Sequence, residues 1–470
     1  ELALRLNVTS IRLSQLYISR GRALELINDF DGALDNYEEL EQLGRTRPDR
    51  SLELAGLVPQ TIIYSMPNVK FNPQIGSQLA RRAMNLAIDL RDYEAEAKSL
   101  WSLMLIQTFS ESDLEQGIRY GEQGLHIARE HDLLEVKAYL EHDLARIYMR
   151  LGRLSDAWTA YESSQAYWRE VGNLPMLADN LASLSESYYN AGEFDKSLQY
   201  AGEGLRISEE TGNVWGKAYN NIVIGPILVE RGEVDESLLA LNNTLDLSKQ
   251  SNFAAGVVAT QMIQSWLYAM LGDQEKARQI EPLISDFVEQ YESFKPLYFV
   301  NQAQNELYSG YSDKALETIE KVGSAYTAYS ELIFHPYIYT LYIEIHLANE
   351  ENELALETAD GYLESMNHHQ VKILMPDMLN QKARALIGLE RISQAYETLI
   401  EARNLARAQN SRRSLWAILL DLADIEKDAQ SAIEMRDEAR LIIAYISDHI
   451  SDPGLKQKFL DLPRVRRSGV

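Results

Sequence analysis

A phrase built on a glycine turn returns along this chain at a nearly constant interval. YYNAGEFDKSL, residues 188–198, is preceded by YMRLGRLSDAW and followed by LVERGEVDESL, YAMLGDQEKAR and LYSGYSDKALE. Measured on the small residue after the turn, the copies fall at Gly117, Ala157, Ser197, Ser237, Ala277, Ala315, Ala355 and Ala395, in steps of 40 residues with one of 38. Five residues before most of these stands Gly152, Gly192, Gly232, Gly272 or Gly310. Looser copies surround Ala33, Gly76 and Ala432, which makes about eleven units by self-similarity. A period of this length restricts the chain to an array whose units bury their apolar faces against neighbours. That restriction outweighs the length prior of roughly three domains for 470 residues.

Both sides of each turn read as helix. Leu181, Leu184 and Tyr188 recur at three- and four-residue steps before Gly192, and Phe194, Leu198, Ala201 and Leu205 do so after it. The glycine supplies the left-handed conformation that ends the first helix, and nearby Asp and Ser residues suit the start of the second. A second turn, VGN at 171–173 or TGN at 211–213, leads to the next unit. Each helix spans roughly 25 Å. The expected fold is all-α: divergent hairpins over residues 1–93, regular units over 94–410, and a terminal hairpin, capping segment and tail over 411–470. Pro226, beside Gly225 in NNIVIGPILVE, should kink or restart its helix.

Composition excludes several functions. A formal charge of −25 repels phosphate backbones and anionic lipid, which argues against direct nucleic-acid or membrane binding. The one basic cluster, Arg464, Arg466 and Arg467, reads as a solvated end. The most apolar run, Ala254 to Leu271, carries Thr260, Gln261, Gln264 and Ser265 and reads as a buried helix, not a membrane span. Without cysteine there is no disulfide framework and no thiolate chemistry, and a cytoplasmic setting fits. No phosphate-binding loop, HExxH spacing or Gly-x-Ser-x-Gly elbow is present, and His368 beside His369 point in different directions on a helix. The expectation is a non-enzymatic protein with no catalytic residue, metal or cofactor. The chain opens at Glu1 already in a helical pattern, which suggests a piece of a longer protein.

Ala145, Tyr148 and Ala157 repeat a small–aromatic–small spacing shared by Ser185, Tyr188 and Ser197 and by Ser265, Tyr268 and Ala277. On these residues the chain resembles a tetratricopeptide repeat (TPR) array, in the longer form of the bacterial maltose-regulator type. LYISRGRALELINDFDGALDNYEELEQL, WREVGNLPMLADNLASLSESYYNAGEFDKSL and the ending SDPGLKQKFLDLPRVR resemble the carboxy-terminal TPR arm of multidomain STAND-type signalling ATPases. Many of those carry an adenylate or guanylate cyclase or kinase domain. The resemblance implies a right-handed superhelix acting as a sensor or scaffold arm. It would bind a protein or peptide in its concave groove and regulate catalytic domains upstream of residue 1. Two alternatives stay open: a superhelix that senses a small molecule, and a self-association scaffold.

In such arrays the first helix of each unit lines the groove, at eighteen, fifteen, eleven and eight residues before the small anchor. Those positions hold Tyr139, His142, Arg146 and Met149, then Asp179, Ala182, Glu186 and Tyr189. Later units contribute Tyr219, Met262, Trp266, Gln304, Tyr337, Glu344, Asn380 and Arg384. Aromatics beside a few charges suit a protein-binding groove, although tyrosines at helical spacing also serve packing between units. The two middle positions hold His142 and Arg146, Ala182 and Glu186, then Ile222 and Pro226, which argues against the Lys and Asn clamp for a terminal carboxylate.

Overall fold

The small residues that mark the period sit where the two helices of a hairpin cross. A computed structural model of the chain describes residues 9–27, 29–110, 113–290, 295–322 and 338–469. Its regular structure is helical, with no strand among the described residues. The helical opening expected at residues 1–8 lies outside them.

The helices form two compact units. The first comprises Glu1–Tyr148 and Ser155–Gly172. In chain order its elements are α1 (Ser10–Leu26), α2 (Phe30–Thr46), α3 (Arg50–Ser65), α4 (Pro73–Leu90), α5 (Tyr93–Ser110), α6 (Leu114–Glu130), α7 (Leu134–Arg150) and α8 (Leu154–Val171). The second comprises Met149–Leu154 and Asn173–Val470. It continues with α9 (Leu174–Asn190), α10 (Phe194–Thr211), α11 (Val214–Asn221), α12 (Ile224–Arg231), α13 (Val234–Gln250), α14 (Ala254–Met270) and α15 (Gln274–Gln290). There follow α16 (Lys295–Tyr308), α17 (Ser312–Ile319), α18 (Ile338–Ala348), α19 (Asn352–His368), α20 (Met375–Gly388) and α21 (Ile392–Ala408). The last elements are α22 (Arg412–Ile425), α23 (Ala429–Asp448), α24 (Pro453–Leu460) and α25 (Pro463–Arg467).

Local chemistry explains where these helices start and stop. Asn173, Asn213 and Ser411 cap α9, α11 and α22 by accepting from the backbone N–H three residues on. Gly192 takes a φ of 74° after α9, a conformation that costs glycine little. Among the described residues, the other turn of a unit also enters the left-handed region, with Asp132, Asn252, Gln370 or Asn410 in that role.

At the crossing of α9 and α10 the anchor is a reciprocal clasp. Ser185 Oγ donates to the Ser197 carbonyl and Ser197 Oγ donates to the Ser185 carbonyl, both at 2.8 Å. Two hydroxyls therefore reach past their own helix to the facing backbone, which only small side chains at both positions allow. One period on, Ser237 Oγ donates to the Gly225 carbonyl at 2.9 Å. A Cβ on Gly225 would stand 2.6 Å from Leu241 Cδ2, so any side chain there would displace the buried Leu241. The expected interruption lies beside it: α11 ends at Asn221 and α12 restarts at Ile224. Pro226 falls in the first turn of α12, where its missing N–H would have no intrahelical acceptor.

The apolar run near residue 260 forms α14, buried along most of its length. Among the described residues, no helix is long and apolar enough to cross a membrane.

Ser197→Leu should lower stability by about 2–4 kcal/mol, because it overpacks a site of 0% exposure and removes the hydroxyl that donates to the Ser185 carbonyl. Ser197→Ala should cost about 1 kcal/mol. Urea unfolding of the two variants followed by circular dichroism measures both.

Candidate functional site

In the first unit the expected groove residues are tied into packing. Trp101 Nε1 donates to Asp143 Oδ2 at 2.7 Å, and its ring stacks on Tyr139 at 5.0 Å between centroids. Tyr139 meets Trp168 edge-on at 4.9 Å. His142, 2% exposed, sits 3.2 Å from Arg146 Nη2 through its Nε2. Tyr139, His142 and Arg146 thus belong to one aromatic and basic cluster, with His142 buried and the other two half-buried.

In the second unit the early groove positions are also occupied. Tyr219 donates to Glu186 Oε2 at 3.2 Å, and Asp179 is half-buried. Tyr189 is 1% exposed and packs beside Phe194. It belongs to the core instead of a groove wall, because the helix that carries it is covered on that side as well. Tyr337 lies outside the described residues.

The reason for this closure is a second set of contacts, between residues 176–216 positions apart. The Lys372 N–H donates to the Asn190 carbonyl at 2.9 Å; the Lys372 carbonyl accepts from Gln409 Nε2, 37 residues on, at 2.7 Å. The Asp235 N–H donates to the His449 carbonyl at 3.0 Å, and Ser451 Oγ to Asp235 Oδ2 at 2.6 Å. Lys458 pairs with Asp273 at 2.7 Å and Lys276 with Asp452 at 2.9 Å. The contacts keep the repeat register: Gly192 lies against Gln409, and one period on Gly232 lies against Ile446 and Arg412. The second unit is therefore closed on itself.

Arg413, on α22, spans the interior. Its Nε donates to Glu230 Oε1 at 2.8 Å, while Nη1 and Nη2 hold Asp377 in a fork at 2.9 and 2.5 Å. Ser411 Oγ donates to the other Glu230 oxygen at 2.5 Å. Glu230 is 1% exposed, and burial pushes its carboxyl above the ordinary value against the pull of Arg413. One guanidinium thus joins α12, α20 and α22.

Next to this bridge is a cavity of about 140 Å³. Trp266, Gln304, Glu344 and Arg384, each eleven residues before its anchor, contribute to its wall from four successive units. Thr340 and Asn380 come from the fifteenth position and Asp377 from the eighteenth. Burial raises the Glu344 carboxyl, which Arg384 nearby opposes, and lowers the Arg384 guanidinium, to which Arg464 adds. Tyr308 OH lies 3.4 Å from Glu344 Oε2, and burial holds that hydroxyl well above its ordinary value. The buried Oδ1 of Asn380 and Oε1 of Gln381 have no hydrogen-bond partner among the described residues.

Sequence reasoning missed Glu230, Arg413 and Arg464. The expected solvated tail turns inward at Arg464, which bonds Asp421, donates to the Ala417 carbonyl at 3.1 Å and lies over the Trp416 ring. Asp377 stands eighteen residues before Ala395 and so falls on a groove position by count, although it was not singled out. Among the described residues, no cluster of His, Asp and Glu is placed to hold a metal ion.

Residues 72–328 match the family described as the MalT-like TPR region. No curated protein sequence matches the chain. Among solved structures, a Rap protein complexed with competence and sporulation factor is similar over 76% of this chain and 98% of its own, at 15% identity and a TM-score of 0.54. The APC/C hetero-tetramer Cut9–Hcn1 is similar over 97% of this chain and 94% of its own, at 15% identity and a TM-score of 0.48. A STAND protein with a TPR sensor from Pyrococcus horikoshii is similar over 92% of this chain and 71% of its own, at 15% identity and a TM-score of 0.38.

Arg413→Met leaves Glu230 buried without its cation and should cost about 3–5 kcal/mol at neutral pH. Because the folded carboxyl already titrates above its unfolded value, the stability it contributes is full below that value and is lost as pH rises through the raised one. Losing the guanidinium raises it further, so the deficit of the variant should shrink between pH 8 and pH 5. Adding Glu230→Gln should recover most of it. Urea unfolding at both pH values checks each point.

Proposed function

Since the chain belongs to the family of MalT-like TPR regions, we propose that it works as a non-catalytic sensor arm whose second unit encloses a small ligand. The closure of that unit carries the reading. An α-helix with its side chains is about 10 Å or more across, and the Arg413 bridge from Glu230 to Asp377 occupies the interior beside the cavity. The remaining space, about 140 Å³, is close to the roughly 150 Å³ engineered cavity that holds one benzene. A ligand of about six to ten heavy atoms suits it. The solved Rap protein is complexed with competence and sporulation factor, and a bound effector is the reading carried over to this chain.

A ligand touching α14, α16, α18 and α20 at once is bound best when the unit is closed, so its concentration biases closing against opening. A protein partner then reads the state from the outer surface or the first unit. In a longer polypeptide resembling the STAND-type signalling ATPases, the attached catalytic domains would be that reader, and any ATPase, cyclase or kinase activity would be theirs.

Thermal-shift screening of the 470-residue chain against small polar metabolites tests this. A true ligand should bind 1:1 and stabilise by about 2.7 kcal/mol at a hundred times its Kd. It should also slow hydrogen exchange at the Lys372 and Asp235 amides, which donate across the closure. A peptide that binds tightly while no small molecule does would overturn the reading.

A further inference from the structure

We propose that the ligand of this cavity is a zwitterion, a free α-amino acid, with its carboxylate on Arg384 and its ammonium on the acceptor wall formed by Glu344, Asn380 and Gln381. This inference rests on reading the second unit as a ligand-enclosing sensor.

The cationic pole is a guanidinium with nothing to hold. Arg413 is saturated by Glu230 and Asp377, and Arg464 by Asp421 and the Ala417 carbonyl. Arg384 lines the same cavity and makes no hydrogen bond, and no ion pair within 4 Å, among the described residues. It is accessible to solvent, yet its surroundings penalise its charge. A planar fork in such a place matches a carboxylate, which can accept two of its N–H groups at once.

The opposite pole is short of donors. Asn380 and Gln381 are 7% and 4% exposed, and the Oδ1 and Oε1 atoms of these two side chains are buried without partners. Leaving such acceptors unpaired is costly, and a donor brought by a ligand removes that cost. Beside them, among the described residues, Glu344 hydrogen-bonds only to neutral donors, the hydroxyl of Tyr308 and the amide of Gln381, with Arg384 near it but not paired within 4 Å. An ammonium brings three N–H donors and one positive charge to this wall.

Overall charge argues for a neutral ligand. Arg384, Arg413 and Arg464 are set against Glu344, Asp377, Glu230 and Asp421, so the site lies within one charge of balance. A plain anion would satisfy Arg384 and leave the acceptors unmet; a plain amine would do the reverse. Asn380 and Arg384 are one helical turn apart on α20, so both poles lie on one face of that helix. Leu267, Met270 and Leu341 supply apolar wall for a side chain.

Isothermal titration of the 470-residue chain with the free L-amino acids tests the assignment, each run beside its N-acetyl and carboxamide forms. At least one amino acid should bind 1:1, and blocking either end should weaken it about 10–100-fold, the loss of one charge-assisted contact. Arg384→Gln should weaken the free amino acid by a similar factor and leave the carboxamide form unchanged. Asn380→Leu should act on the amine end alone, and circular dichroism confirms that both variants fold. If a sugar or other uncharged metabolite saturates the cavity and no amino acid does, the zwitterion assignment falls and the sensor reading stands. If no small molecule binds, both fall.

Discussion

The second unit depends on one guanidinium. Arg413 reaches across a closed interior to a carboxylate that is almost wholly removed from water and to a second on another helix. Had only Glu230 been placed there, the cost of desolvating it would work against folding. With only Arg413 the same would hold for a cation. Three charged side chains and the Ser411 hydroxyl together satisfy each other, and they can do so only when α12, α20 and α22 occupy one arrangement. A buried network of this kind is weak evidence for raw stability. What it specifies here is register, since a slip of one turn on any of the three helices strands a charge.

The closure is unusual for so acidic a chain. At −25 the surface repels itself, and bringing residues 176–216 positions apart together concentrates that repulsion. The contacts answer it with alternating signs: Lys276 to Asp452, Lys458 to Asp273, Arg413 to Glu230. Backbone pairs such as Lys372 to Asn190 add bonds that carry no net charge. Salt therefore acts on the closure in opposing senses, screening both the general repulsion and these specific pairs.

Much of this was legible in the sequence because repeat packing is local. The period, the turn glycines, the small anchors at Ser185 and Ser197 and the break beside Pro226 each follow from residues within one unit or its neighbour. Trp266, Gln304, Glu344 and Arg384, each eleven residues before its anchor, all reach one cavity wall. The bridge was not legible. Glu230 lies beside a turn glycine and reads as a surface acid, and Arg413 opens the segment that read as a cap. Their meeting is set by twist accumulated over several hairpins, a quantity no single repeat displays. Tyr189 failed for a related reason: a groove position in an open array becomes interior once the array closes.

Open repeat arrays can gain or lose a unit, because each hairpin touches only those beside it. The second unit has given up that freedom. Gly192 and Gly232 stand one period apart, and so do the surfaces near Gln409 and Ile446 that they meet. An extra hairpin between Asn190 and Lys372 would leave every helix intact and move each meeting point by one stave, as in a barrel whose hoop no longer closes. The number of hairpins is thus a circumference, as much a dimension of this molecule as the volume of the cavity it encircles.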